Sequence, residues 1–427
     1  GRSQLMLGTE FLVLVRAVWR LPMSLLNPVF DSGNVRYRDG KRYAWLISLL
    51  VPPVLGCGPL LYAWTGSVGS LWIPALAIYG GIPVLDMLLG EDRNNPPEEV
   101  VPLLEADPYY RWATYALVPV LWATFLTNAY FVGTHSLPWY GVLAMALNTG
   151  ILGGFAINLG HELGHKKSKV ERILATAALS MSGYGHFAIE HNRGHHRHVA
   201  TPEDCASSRM GETLYEFALR ELPGGFLRAW TLEAGRLERH DKRVWSLENE
   251  IVRAGLITLG VTVALVVAFG FIMVPYLLAS YFIGSFQLTL ANYIEHYGLL
   301  RQRRANGLYE RCQPHHSWNS NHICSNWALY HLQRHSDHHA NPGRRYQALR
   351  HFEGLPTLPN GYFGMNLLSL VPPLWFRVMD PLLLAHTEHD PARINFDPRR
   401  RAALCGRYGL EDAQKLEEVG DTARVTC

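Results

Sequence analysis

Five long stretches with almost no charge leave few folds open to this chain. They run over residues 43–64, 71–90, 112–133, 137–160 and 254–294, and the last has no Asp, Glu, Lys or Arg over 41 residues. As a helix, a stretch of about 20 residues matches the roughly 30 Å hydrocarbon core of a bilayer. The fifth stretch is too long for one helix and breaks near Gly270, Phe271 and Pro275, so it reads as two spans joined by a tight hairpin, giving six in all. Pro52, Pro53, Pro74, Pro83 and Pro119 fall inside these spans, where neighbouring helices tolerate kinks. A composition of 48% hydrophobic and 18% charged residues therefore hides a mixture of membrane and polar segments. It excludes a soluble single-core enzyme and a disordered or collagen-like chain.

Basic residues set the orientation. Arg16, Arg20, Arg36, Arg38, Lys41 and Arg42 precede the first span; Lys166, Lys167, Lys169 and Arg172 follow the fourth; Arg301, Arg303 and Arg304 follow the sixth. The loops at 65–70, 134–136 and 270–275 carry no charge. The positive-inside rule then places both termini and the segments 161–253 and 295–427 in the cytoplasm. The expected organisation is a segment 1–42, spans at 43–160, a polar insert 161–253, spans at 254–294, a second polar segment 295–387 and a polar tail 388–427. Residues 10–30 and 365–386 mix apolar and charged side chains and are expected to lie in the membrane interface.

Six cysteines form no C-x-x-C pair, which argues against a disulfide framework and a cysteine-ligated iron–sulfur domain. The glycine pairs at 80–81 and 153–154 open no dinucleotide fingerprint. With Gly150, these glycines are expected to allow close helix packing or to leave a slot between spans.

Histidine is distributed very unevenly. None of the 20 lies in residues 1–134, whereas seven lie in 161–198 and eight in 315–351. The first cluster, HELGHK at 161–166, sets His161 and His165 at i, i+4, on one helical face. Alone it also reads as the H-E-x-x-H zinc-protease signature. The second, EHNRGHHRHV at 190–199, repeats that spacing at His191 and His195 with His196 beside them. The third, LQRHSDHHA at 332–340, offers His335, His338 and His339. A lone His296 sits in NYIEHYGL at 292–299. Nine imidazoles are too many for one ion and suit two with open positions. Each cluster carries an adjacent acid, Glu162, Glu190, Glu295 or Asp337, expected to accept the outer N–H of a ligating ring. His186, His198, His315, His316, His322 and His331 are expected to be structural, and His135, His240, His351, His386 and His389 ordinary.

These four motifs, in this order among six spans, resemble the integral-membrane, non-haem diiron alkane 1-monooxygenases, within the histidine-box desaturase and hydroxylase superfamily. His198 stands where some relatives carry an acid. The resemblance implies an all-α membrane fold of six helices with a cytoplasmic histidine-rich cap around a dinuclear site. It implies two iron ions held by His161, His165, His191, His195, His196, His296, His335, His338 and His339, the centre itself being the catalyst. It further implies O2-dependent terminal hydroxylation of medium-chain n-alkanes in a bacterial inner membrane. Electrons would come from an acidic rubredoxin with its reductase, and nucleic acid is no partner. Docking of that donor is expected on a basic patch drawn from Arg301, Arg303, Arg304, Arg344, Arg345 and Arg350. The residues fit such chemistry, because a terminal C–H bond offers no acid or base handle and calls for redox chemistry at a metal.

Three other readings weigh less. A desaturase would carry H-x2-H-H in its second box, against H-x3-H-H here. A zinc protease leaves seven boxed histidines idle. A metal transporter would want ionisable groups within the spans, where Asp86 stands alone. No substrate channel is legible.

Overall fold

The computed structural model describes residues 27–411. A short hairpin pairs β1 (Val29–Asp31) with β2 (Arg36–Arg38), and the rest of the framework is helical. The first apolar stretch is two helices, α1 (Ile47–Leu55) and α2 (Gly58–Thr65), with the segments Ala44–Leu55 and Gly58–Thr65 bent by 47°. Pro52 and Pro53 remove backbone donors from α1. At Gly56 a Cβ would stand only 2.8 Å from Thr124 Cγ2, so the bend also seats the chain against the neighbouring helix.

Among the described residues, five single helices are long and apolar enough to cross a membrane: α3 (Val68–Leu89), α4 (Pro108–Thr134), α5 (Trp139–Gly164) and, after an intervening polar segment, Glu250–Phe269 and Met273–His296. With the bent pair they make up to six crossings, and the chain is a multi-pass membrane protein. Asp107 caps α4 by accepting from the Tyr109 N–H at 2.9 Å. The intervening segment holds α6 (Lys169–Met181), the helical run α7 (187–198) and α8 (Leu214–Glu238), which opens with a Thr213/Glu216 capping box. Glu250–Phe269 is α9 and Met273–His296 is α10. Gly270 ends α9 at φ 81°, the break expected from sequence. The helices that follow include α11 (His335–Ala340), α12 (Tyr362–Ser369), α13 (Pro372–His386) and α14 (Arg401–Tyr408).

Burial ranks the spans. In its most apolar window α5 is 78% buried and α9 only 17%, so α5 is the axis of the bundle and α9 its rim. Along α5 a row of glycines admits α10. A Cβ at Gly150 would lie 2.4 Å from Ile283 Cβ, one at Gly153 3.4 Å from Gly284 Cα, and one at Gly154 2.6 Å from Gln287 Cβ. Close packing is thus the role of these three glycines, whereas Gly80 and Gly81 face open space and pack against nothing. Gly150→Val forces two side chains into one volume, where overpacking costs typically about 1–3 kcal/mol and occasionally more. The expected result is little folded protein on size-exclusion chromatography, with Gly255→Ala, which faces open space, as the harmless control.

The two interfacial expectations fare differently. Residues 1–26 lie outside the described residues, and with them most of the 10–30 segment. Residues 365–386 form the end of α12 and all of α13, which bury Trp375, Met379 and Leu383 and expose Leu367, Leu374 and Leu382. Residues 388–411, read as the start of a polar tail, lie against the body: Phe396 bridges to Met210 and Ile394 to Leu299. Residues 412–427 lie outside the described residues.

Candidate metal centre

All nine boxed histidines are brought together at one end of the bundle. His161 and His165 come from the last turn of α5 and its C-cap, His296 is the last residue of α10, and His335, His338 and His339 lie on the short helix α11. The second box departs from the sequence reading. Glu190–His195 is a π-helical turn, so position i aligns with i+5. His191 therefore faces His196, with Nε2 atoms 3.1 Å apart, and His195 turns to the other side. The wide turn has room because residue 194 is glycine: a Cβ there would meet Arg228 Nε at 2.6 Å.

Two groups result, each with its ligand-type atoms within 4.8 Å of one another. The first joins His161, His165, His191, His196 and His338; the second joins His195, His296, His335 and His339. His338 Nε2 lies 2.9 Å from His161 Nε2 and 3.2 Å from His196 Nε2. In the second group His335 Nε2 lies 2.9 Å from His339 Nε2 and 3.2 Å from His296 Nε2. The His196 and His339 rings, one from each group, stand 4.3 Å apart by centroid.

Such an arrangement is poorly satisfied as imidazoles alone. One ring nitrogen carries at most one proton, so His338 Nε2 cannot serve both neighbours. His165 Nε2 and His195 Nε2 are buried without a hydrogen-bond partner. Burial and crowding by neighbouring rings hold His165, His191, His196, His335, His338 and His339 well below the ordinary histidine range. These six are neutral, the form that binds metal. The donor set fits a metal ion in each group.

Outer contacts fix two of the rings. His195 Nδ1–H donates to Asp204 at 2.8 Å, and His296 Nδ1–H to the His316 carbonyl at 3.1 Å, which leaves each Nε2 facing its group. Burial disfavours charge on Asp204, but the His195 ring, Arg228 and the Ser207 hydroxyl outweigh it and hold the carboxyl below its usual range. Sequence reasoning missed Asp204, which no spacing rule links to His195.

The four acids singled out from sequence do not take the place expected of them. Glu162 pairs with Lys166 at 3.1 Å, Glu190 with Arg228, and Asp337 with Arg344 at 2.9 Å. Each of these three carboxylates is engaged by a cation and hydrogen-bonds no boxed ring. Glu295 does reach His335, at 3.3 Å, but on Nε2, the nitrogen that faces the group. His186, His198, His315, His316, His322 and His331 join neither group; His331, for example, bonds the Tyr346 carbonyl.

A cavity opens beneath the rings. His161, His191, His335 and Glu295 form its head, and Ile151, Phe155, Leu288, Ala291 and Phe363 line its body. Beside it, α8 sends Glu221 into a fully buried position against α10, where it accepts from Thr289 Oγ1 at 2.8 Å and Asn292 Nδ2 at 3.1 Å. Burial pushes this carboxyl up to about 7. Ionisation therefore opposes the fold, and stability present below the ordinary carboxylate range is lost as pH rises through about 7. Thermal unfolding should show Glu221→Gln gaining on the parent chain between pH 5 and 8, by up to about 3 kcal/mol, with no gain near pH 4.

The six arginines do not form one patch. Arg301 is buried and donates to the carbonyls of Arg197 and Glu310. Arg344, Arg345 and Arg350 are spent on Asp337, Glu171 and Glu98. Arg303 and Arg304 remain exposed, Arg303 reaching Glu203 at 3.3 Å.

Comparison with known proteins gives a consistent picture. The profile of the Fatty acid desaturase family matches residues 136–367, a range holding every boxed histidine. An alkane 1-monooxygenase of Ectopseudomonas oleovorans is 50% identical over 386 residues, covering 90% of this chain and 96% of the relative. Alkane 1-monooxygenase 1 of Alcanivorax borkumensis is 48% identical over 91% of this chain and 96% of its own length. The xylene/toluene monooxygenase hydroxylase component of Pseudomonas putida is 25% identical over 77% of this chain and 86% of its own.

Proposed function

The chain belongs to the alkane 1-monooxygenases, and from that premise we propose that it hydroxylates medium-chain n-alkanes at the terminal carbon, using O2 and two iron ions. The observation that carries this reading is the pair of histidine groups at the head of an apolar cavity. Five imidazoles would hold one ion and four the other. Bound there, iron supplies the redox chemistry that O2 activation and C–H cleavage require.

The protein's own residues supply the setting. An alkyl chain in the cavity gains about 0.8 kcal/mol per buried CH2. Its walls offer that chain no hydrogen bond along Ile151, Phe155 and Leu288, so it is held by shape, with its end toward His161, His191 and His335. The same apolar walls keep bulk water from the rings. Asp204 and the His316 carbonyl hold His195 and His296 in one tautomer and one orientation.

One oxygen atom enters the product and the other leaves as water, so electrons must be delivered. The chain has no C-x-x-C pair, and a separate acidic rubredoxin is the proposed donor, meeting exposed Arg303 and Arg304. The membrane is proposed to be a bacterial inner membrane with the histidine end toward the cytoplasm, on the basic residues flanking the spans. The test is octane turnover with a rubredoxin and its reductase, with metal quantitation on the same sample. Octan-1-ol with two irons per chain is expected; an acyl-lipid desaturation product, or a single zinc, would overturn the reading.

A further inference from the structure

α8 carries apolar side chains on both faces, with Leu214, Phe217, Ala229 and Leu237 buried on the inner one. On a helix in water the apolar stripe faces the protein and charges face out. Here the acids and bases point inward: Glu216 to Arg400, Arg220 to Glu212, Arg228 to Glu190 and Asp204, and Glu221 into the interface with α10. The outer face carries Tyr215, Leu219, Phe226 and Leu227, exposed by 42–80%. Positions 215, 219, 222, 226 and 230 recur at three- and four-residue steps and include no charge; Leu222 and Trp230 among them are half-buried and form the edge of the face, packing inward as well. The patch continues past the helix end, where Trp245 and Leu247 are 79% and 66% exposed and Trp230 packs on Trp245 at 4.7 Å between centroids.

We propose that this outer face of α8, with the Trp245 turn, is seated in a phospholipid bilayer at the boundary between headgroups and acyl chains. Three observations name the lipid as the occupant. The turn leads within a few residues into α9, whose own exposed Leu256, Ile257 and Val263 make it the rim span, so the patch is continuous with a lipid-facing surface. Glu221 meets α10 at Thr289 and Asn292, which lie within about 11 Å of the helix end at His296 at 1.5 Å per residue. That sets α8 level with the bilayer surface. Tyr and Trp are the residues that favour this depth. The consequence for the centre is mechanical: the inward face of the same helix supplies Arg228, which holds Asp204 behind His195, so the bilayer braces the wall of the second histidine group.

Tryptophan emission in nanodiscs tests the seating. The emission lost in Trp245→Phe, and that gained in Leu219→Trp, is expected to be blue-shifted, quenched by lipids brominated on the acyl chains and insensitive to iodide. Trp245 and Leu219 are both largely exposed, so neither change disturbs the fold, and each site reads out independently. Quenching by iodide at either site would put the face in water and overturn the proposal. Protection from both quenchers would mean that protein, such as a second copy of the chain, covers it, and would overturn it equally.

Discussion

Replacing His338 with alanine is expected to abolish alkane turnover and to lower the metal content of the purified protein. His338 Nε2 is the atom on which the first group closes, within 2.9 Å of His161 and 3.2 Å of His196. Its loss leaves four donors spread over two elements with nothing drawing them together. The ring is fully buried, so truncation also opens a polar hole whose remaining imidazoles repel if they protonate. His240→Ala is the matched control: it is exposed and bonds only the Arg236 carbonyl, and both turnover and metal content should be unchanged. Full metal loading in His338→Ala would refute the ligand assignment, whatever happened to activity.

The second large effect concerns a residue that touches no ion. Asp204→Asn keeps the size of the side chain but removes the charge that polarises His195 and anchors Arg228. Losing a partner of this kind typically costs 10- to 100-fold in metal affinity or activity, and a loss of that order is expected here. Chelator competition separates the causes: weaker retention of metal marks a role through His195, whereas unchanged retention with slow turnover would place Asp204 elsewhere in the reaction. Ser207→Ala, which removes one hydroxyl donor at 2.6 Å from Asp204, should show a smaller change in the same direction.

The long apolar runs and the four histidine motifs were legible because both are local patterns. A span needs only length and lack of charge, and a box needs only spacing. What escaped was set by geometry that spacing does not encode. The i, i+4 rule presumes an α-turn, so it paired His191 with His195. The π-turn at Glu190–His195, opened by Gly194 and filled by Arg228, pairs His191 with His196 instead. Asp204 comes to His195 through a loop, and Lys166, Arg228 and Arg344 claim the acids that looked placed for the rings. The basic patch narrowed to Arg303 and Arg304 for a related reason, since charge in sequence does not reveal which arginines are buried or already engaged. Composition likewise concealed the outward apolar face of α8, because its charged residues are numerous but turned inward.

One consequence follows from the π-turn. His195 and His196 are joined by a single peptide unit, yet they belong to opposite groups, and α11 likewise splits His338 from His335 and His339. Emptying one group would loosen the scaffold of its neighbour, so ions would be gained and lost together. Titration of stripped protein should accordingly be steep, with half-loaded molecules scarce, and a chelator should extract both ions in one phase instead of two.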